Sequence, residues 1–213
     1  MAKFPNSPGV ATLARLHPAT TPIPSGTRLA RVYYAAGRHP KSWNAFRYYG
    51  PVNARWDHHL TNPNRDAQTQ DRGIYYTAGD AKTCLAEVFQ HTRRIDRAFQ
   101  APWLVVFETI SPLVVLDLTG DFATRMGASI AVHSGNRERA RSWARDLYEA
   151  FDDIQGIQYA SSMNGGAAAL ALNERALKLP LFAAHPLFHR ALADDVMLDP
   201  LKHAAQALGY ALR

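Results

Sequence analysis

Cysteine is almost absent from the 213 residues: Cys84 stands alone, so an internal disulfide and a cysteine-based zinc cluster are both excluded. Long apolar runs are missing as well. No uninterrupted stretch approaches the roughly 20 residues of a membrane span. The opening MAKFPNSPGV holds one lysine and no apolar segment, so no secretory leader is expected and a cytoplasmic protein is. Phosphate-loop (GxxxxGKS/T), dinucleotide (GxGxxG), zincin (HExxH) and hydrolase (GxSxG) motifs do not occur, which sets those chemistries aside. His58, His59 and the other scattered histidines lack partners at ligand spacing, so they read as solvated loop residues and no metal is expected. Internal repeats and low-complexity tracts are also lacking.

What is present has globular proportions, with 47% apolar and 20% charged residues. Lys and Arg number 24 against 18 acids, a formal charge of +6. That surplus suits an anionic partner without choosing among phosphate, nucleic acid and acidic protein.

Residues 1–27 contain Pro5, Pro8, Pro18, Pro22 and Pro24, a density that forbids a long helix and predicts an extended arm ahead of a domain over 28–213. Leu29–Tyr34 has strand composition, whereas 37–72 is polar and aromatic without a period and reads as a functional loop. Ile74–Ala78 is a short strand feeding a helix capped by Asp80 and running to about Arg93, with Ala81, Cys84, Leu85, Val88 and Phe89 inward. Strands are expected at Trp103–Ile110 and Leu113–Leu118 around Ser111-Pro112, and a helix from Asn136 to about Phe151 buries Ala140, Trp143, Ala144 and Leu147. Gly156–Ser161 and Ala167–Leu172 pair across Asn164-Gly165-Gly166. A last helix is expected to start at Asp199-Pro200. Strands and helices cluster instead of alternating, which predicts a single α+β domain.

Arginines, tyrosines, one glutamate and one serine carry the chemical interest. Arg31 lies inside a strand, where a charge is costly without an anion or carboxylate. Arg55-Trp56 falls in the polar loop. Tyr76 ends a strand, and Glu87 follows eleven residues later, roughly 60° outside the apolar arc of its helix at about 100° per residue. Ser161 ends a strand before the Gly165-Gly166 turn. Taken singly, each also has a structural account: pairing of Arg31 with Asp117, core packing for Tyr76 and Cys84, turn chemistry for Ser161, solvent for Glu87.

In chain order these residues resemble the RES-domain family, named for an arginine, a glutamate and a serine, which includes toxins of bacterial toxin–antitoxin pairs. The resemblance rests on Leu29–Tyr33 (LARVY), Ala54–Asp57 (ARWD), Gly73–Val88 (GIYYTAGDAKTCLAEV), Val114–Thr119 (VVLDLT) and Gly156–Gly166 (GIQYASSMNGG). Asn53-Ala54 replaces the family's Gly-Gly, Asp57 its Asn and Ala160 its Pro, and the serine aligns at Ser161 or one step on at Ser162. The resemblance implies an ADP-ribosyltransferase-like fold whose substrate is NAD⁺, cleaved at the nicotinamide–ribose bond by phosphate or water. Inorganic phosphate is then the one further co-substrate. It implies Glu87, Arg31, Tyr76 and Ser161 as catalytic residues, and Arg31, Arg55, Trp56, Tyr76 and Ser161 as substrate-binding residues. An Xre-like helix-turn-helix antitoxin and a homodimer are the implied protein partners. Transfer of ADP-ribose to a protein is the alternative. A basic nucleic-acid-binding or scaffold protein, with Trp43, Tyr48 and Tyr49 as its exposed surface, is a third reading, although direct nucleic-acid binding is not expected.

Overall fold

The prolines do keep a long helix from forming at the start of the chain, but the segment is no free arm. In the computed structural model, which describes residues 4–64 and 66–213, it makes a short helix α1 (Val10–Leu13) and a strand β1 (Thr20–Ile23). Met1–Lys3 of the expected arm and Arg65 of the expected loop lie outside the described residues. Phe4 and Leu13 are buried. Pro22 sits opposite Val114 in β1, which is an edge strand, the place where a missing N–H is tolerated.

Next along the chain come β2 (Arg28–Tyr34), β3 (Arg47–Gly50), β4 (Gln68–Ala78), α2 (Ala81–Val88), β5 (Arg94–Ile95), β6 (Pro102–Glu108) and β7 (Leu113–Asp117). They are followed by α3 (Phe122–Arg125), α4 (Arg137–Ala150), β8 (Gly156–Ala160), β9 (Ala168–Asn173), β10 (Phe188–Ala191), α5 (Leu198–Leu208) and β11 (Ala211–Leu212). The main sheet runs β1-β7-β8-β9-β4-β2-β6-β10, with β3 on β4. Its pairs are antiparallel except β7 with β8. The fold is α+β. Strands β6 and β7 flank Ser111-Pro112 as expected but do not pair with each other: β6 joins β2 and β10, and β7 joins β1 and β8.

One join in this sheet is far weaker than the rest. β2 pairs with β6 along its whole length, and β4 pairs with β9 from Ile74 to Ala78. Between β2 and β4, however, there is a single register pair, Ala30 opposite Ala78. Beyond it the strands part, and β4 turns to β3, with Ile74 opposite Arg47. The sheet is therefore forked.

Apolar residues fill both faces. One core collects Leu85, Leu116, Phe122, Trp143, Leu147 and Leu201 from the helical side. The other holds Leu29, Phe46, Tyr75, Phe107, Val115 and Leu172, so the expected loop over 37–72 contributes Phe46 to a core and supplies β3. The α4 stripe is as the spacing predicts, with Asn136 capping Arg139 N–H at 2.9 Å. Its Trp143 is fully buried and donates to the Pro5 carbonyl at 3.0 Å. Burying such a side chain contributes roughly 2–3 kcal/mol, and here it also fastens the start of the chain to the helical layer.

Two helix boundaries differ from expectation. α2 stops at Val88, five residues early, because the chain turns through a left-handed Arg93 (φ 48°) to lay β5 beside β11. α5 begins at Leu198, run into by a 3₁₀ turn at Asp195–Met197, and Asp199 pairs with Lys202 instead of capping. No helix of the described residues is long and apolar enough to cross a membrane.

Candidate active site

The fork opens into a cavity of about 560 Å³. Arg31 to Tyr34 line it from β2, Ile74 and Tyr76 from β4, and Glu87 and Val88 from α2. It lies within the 300–1,000 Å³ usual for ligand sites. A strand pair that stays zipped leaves no such space, so the brevity of the β2–β4 contact is what creates the site.

Glu87 is set on this wall by a helix with a firm start. Asp80 accepts from Thr83 N–H at 2.8 Å and from Thr83 Oγ1 at 2.6 Å. Cys84, Leu85 and Ala86 turn inward, which brings Glu87 to the edge of the core. Ser161 Oγ then donates to Glu87 Oε1 at 2.6 Å, fixing the carboxylate from the end of β8. Ser161 is 1% exposed, whereas Ser162 is exposed and lines the cavity. The serine that meets the glutamate is therefore Ser161, standing behind the carboxylate and not on the cavity surface.

Arg31 lies on the opposite prong. Its guanidinium donates to the Ala45 carbonyl at 3.0 Å and the Trp43 carbonyl at 3.4 Å, and it stacks 3.9 Å from the Tyr75 ring centre. It does not pair with Asp117, which instead accepts from Thr21 and Thr119. Arg31 is 9% exposed yet lines the cavity, a desolvated charge held by neutral groups and without a carboxylate partner among the described residues. Arg55 donates to the carbonyls of Gly135 at 2.7 Å and Val132 at 3.3 Å. Burial and then the neighbouring Arg137 lower its pKa, with Glu87 opposing them. Arg55 and Arg137 thus crowd the end of the cavity at which Glu87 stands.

Tyr76 lines the cavity with its hydroxyl buried and without a hydrogen-bond partner among the described residues. Burial pushes its phenol far above the ordinary range, so it stays protonated and can donate. Trp56 departs from expectation: it is 1% exposed and packs between Tyr159 and His133, 5.6 and 6.3 Å away by ring centres. It supports the wall from behind and does not touch the cavity. Trp43 is likewise no surface residue, since it packs against Phe107 and Phe182, and Tyr48 is half-buried.

The reading of His58 and His59 as solvated is also wrong. Both are buried, at 4% and 0% exposure. His59 Nδ1 lies 2.5 Å from Asp57 Oδ1, and Asp57 Oδ2 accepts from Arg47 at 2.9 Å and from Val52 N–H at 2.7 Å. Burial alone raises a carboxyl pKa, but the His59 hydrogen bond and the Arg47 charge hold Asp57 well below the usual range. His58 Nε2 stands 3.6 Å from Glu174, which also accepts from Tyr148 at 2.6 Å and Gly73 N–H at 2.7 Å. Gly50 permits this arrangement, because a Cβ there comes within 2.5 Å of the His59 ring. The network anchors the segment that carries Arg47 and Arg55 to the cavity.

Several wall residues escaped the sequence reading. Tyr159 lines the cavity two positions before Ser161 on β8, a strand period that could have found it. Gln90 lies three residues after Glu87, and its amide donates to the Glu87 carbonyl at 2.6 Å. Arg137 joins from the start of α4, donating to Gln90 Oε1 and to His91 Nε2, each at 2.6 Å. Only the fold announces Arg137. Among the described residues no group of three or more His, Cys, Asp or Glu side chains is placed to hold a metal ion.

The architecture is that of a known class. The chain resembles in fold one chain of the crystal structure of the M. tuberculosis MbcT–MbcA toxin–antitoxin complex, with a TM-score of 0.53 over 84% of this chain and 90% of that one. Sequence identity is 16%, so the likeness is one of fold. A search of curated proteins finds no match. The RES domain model matches residues 28–195, and the chain belongs to the RES-domain family.

Proposed function

We propose that the chain is a toxin enzyme that cleaves the nicotinamide–ribose bond of NAD⁺ and is restrained by an antitoxin. The observation that carries the reading is the Glu87 carboxylate, fixed by Ser161 at 2.6 Å on the wall of a nucleotide-scale cavity that Arg31 and Arg55 also line. Nicotinamide in NAD⁺ is already a cationic leaving group. When the bond from ribose C1′ to the ring nitrogen breaks, the electron pair goes to that nitrogen and positive charge develops on the ribose. A preorganised carboxylate stabilises that charge at no reorganisation cost. Glu87 fills this role and hydrogen-bonds a ribose hydroxyl. Tyr76 walls in the nicotinamide ring and offers its phenolic proton. Arg31 and Arg55 grip the pyrophosphate with charge-assisted hydrogen bonds. Ser161 orients Glu87.

The acceptor at C1′ is a phosphate oxygen or water, the latter shedding its proton to solvent. Family membership and the fold likeness to a chain of a toxin–antitoxin complex support restraint by a protein partner, here taken to be an Xre-like helix-turn-helix antitoxin acting on a homodimeric, cytoplasmic toxin. The test is release of nicotinamide from NAD⁺ by the purified chain, with products weighed by mass spectrometry. ADP-ribose 1″-phosphate marks phosphorolysis and ADP-ribose marks hydrolysis. A mass gain on protein instead marks transfer. No nicotinamide release at micromolar enzyme rules the reading out.

A further inference from the structure

Among the described residues six basic side chains line the cavity, Arg31, Arg38, Lys41, Arg47, Arg55 and Arg137, against one carboxylate, Glu87. Arg47 is answered from behind by Asp57. The pyrophosphate of NAD⁺ brings two negative charges, and Arg31 and Arg55 suffice for those. A positive surplus is left over, and it is unevenly placed. Arg55 and Arg137 belong to the Glu87 end, beside α2 and the start of α4. Arg38, Lys41 and Arg47 come from the stretch between β2 and β3 and from β3 itself.

Lys41 is tied in place by its backbone, with its N–H donating to the Tyr34 carbonyl at 3.0 Å. Its side chain is half-buried, and burial, Arg47 and Arg31 all disfavour its charged form. Neither Arg38 nor Lys41 has a side-chain hydrogen bond or ion pair among the described residues. Arg38 is exposed and Lys41 half-buried at the mouth of this wall, and like charges gathered there without counter-charges repel one another until an anion arrives.

We propose that this wall is a phosphomonoester subsite and that the cavity takes the 2′-phosphorylated dinucleotide, NADP⁺, in preference to NAD⁺. The inference rests on the cleavage reading above and adds the substrate class. The extra phosphate carries about −1.5 to −2 charges near neutral pH, which matches the unanswered Arg38 and Lys41. An inorganic phosphate acting as acceptor must instead stand beside ribose C1′ at the Glu87 end, so it leaves this wall unexplained.

The experiment compares nicotinamide release from NAD⁺ and NADP⁺ by the full chain. In parallel, calorimetry measures adenosine 2′,5′-bisphosphate, AMP and inorganic phosphate, and this second arm needs no turnover. The expected kcat/KM is at least tenfold higher for NADP⁺, and the bisphosphate binds at least tenfold more tightly than AMP or inorganic phosphate. In the double variant Arg38→Ala, Lys41→Ala, both ratios fall tenfold or more. NAD⁺ cleaved at least as well as NADP⁺, with no preference for the bisphosphate, overturns the inference and leaves NAD⁺ cleavage standing. Inorganic phosphate binding as tightly as the bisphosphate, and lost in the double variant, also overturns it, by making the wall a free-phosphate site. Release from neither dinucleotide overturns the cleavage reading and the inference together.

Discussion

Behind the fork, Asp57 accepts from Arg47, His59 and the Val52 amide, and Glu174 gathers Tyr148, Gly73 and the approach of His58. On the fork itself, Arg31 meets only carbonyls and a ring, while Arg38 and Lys41 have no side-chain partners among the described residues. The first region satisfies its two carboxylates internally and so can be buried. The second leaves cations open on its surface, with Arg38 exposed and Lys41 half-buried. A buried charge with its partners in place holds loops together, whereas an unpaired one on a cavity wall waits for an anion. Stability and function are thereby assigned to neighbouring groups that share a segment, with Arg47 at the boundary.

The sharpest way to break this division is Asp57→Ala. It leaves the Arg47 charge and the His59 ring unanswered in the interior, and a loss of about 3–5 kcal/mol is expected, read as a lower urea midpoint. A variant as stable as the parent shows that the network does not hold the segment. Glu87→Gln tests the other side. Its amide oxygen still accepts from Ser161, so the thermal midpoint should stay within a few degrees while kcat falls at least about a hundredfold, ~2.7 kcal/mol of transition-state stabilisation. Near-parental NAD⁺ turnover removes Glu87 from the chemistry. Ser161→Ala is expected to be milder, with kcat down about tenfold, or ~1.4 kcal/mol, and KM nearly constant. A change in KM alone assigns the serine to substrate binding and not to positioning Glu87.

Elements whose signal is local were legible in the sequence. Asn136 and the apolar stripe of α4 are written within one helix, as are Asp80 and the position of Glu87 outside the apolar arc of α2. The β8–β9 hairpin shows in Asn164-Gly165-Gly166, where Gly165 and Gly166 adopt φ of 57° and 81°. Features that depend on residues distant in the chain were not. His58 and His59 look solvated because they sit in a polar stretch, and their burial needs Glu174 to arrive from the 3₁₀ turn after β9 and Tyr148 from α4. Trp56 looks like a contact residue until Tyr159 and His133 enclose it. Pro22 suggests an arm, since no local rule says that β7 offers an edge. The fork, on which the whole cavity depends, is a missing set of pairings between β2 and β4, and sequence patterns report pairings far better than their absence.

The smallest expected effect concerns pH, and its sign follows from the buried network. Burial pushes the His58 pKa below its ordinary 6.5 despite the opposing Glu174. As pH falls through 6.5 the unfolded chain therefore takes up a proton that the folded chain refuses, and stability declines. Lower down, Glu174 is held at about 2 against an ordinary 4.5. Burial taken alone raises it, but the approach of His58 and the hydrogen bonds of Tyr148 and Gly73 outweigh that. Its contribution is complete above 4.5 and is lost between there and about 2, with Asp57 acting in the same direction. The thermal midpoint should then drop by on the order of a few degrees between pH 7 and 5.5, and His58→Gln should flatten that interval while leaving the steeper acid limb below 4.5. A midpoint that rises toward pH 5.5 means that His58 gains a proton in the folded chain. His58 would then stand as a cation paired with Glu174, and the region behind the fork would draw its stability from an ion pair and not from a neutral imidazole.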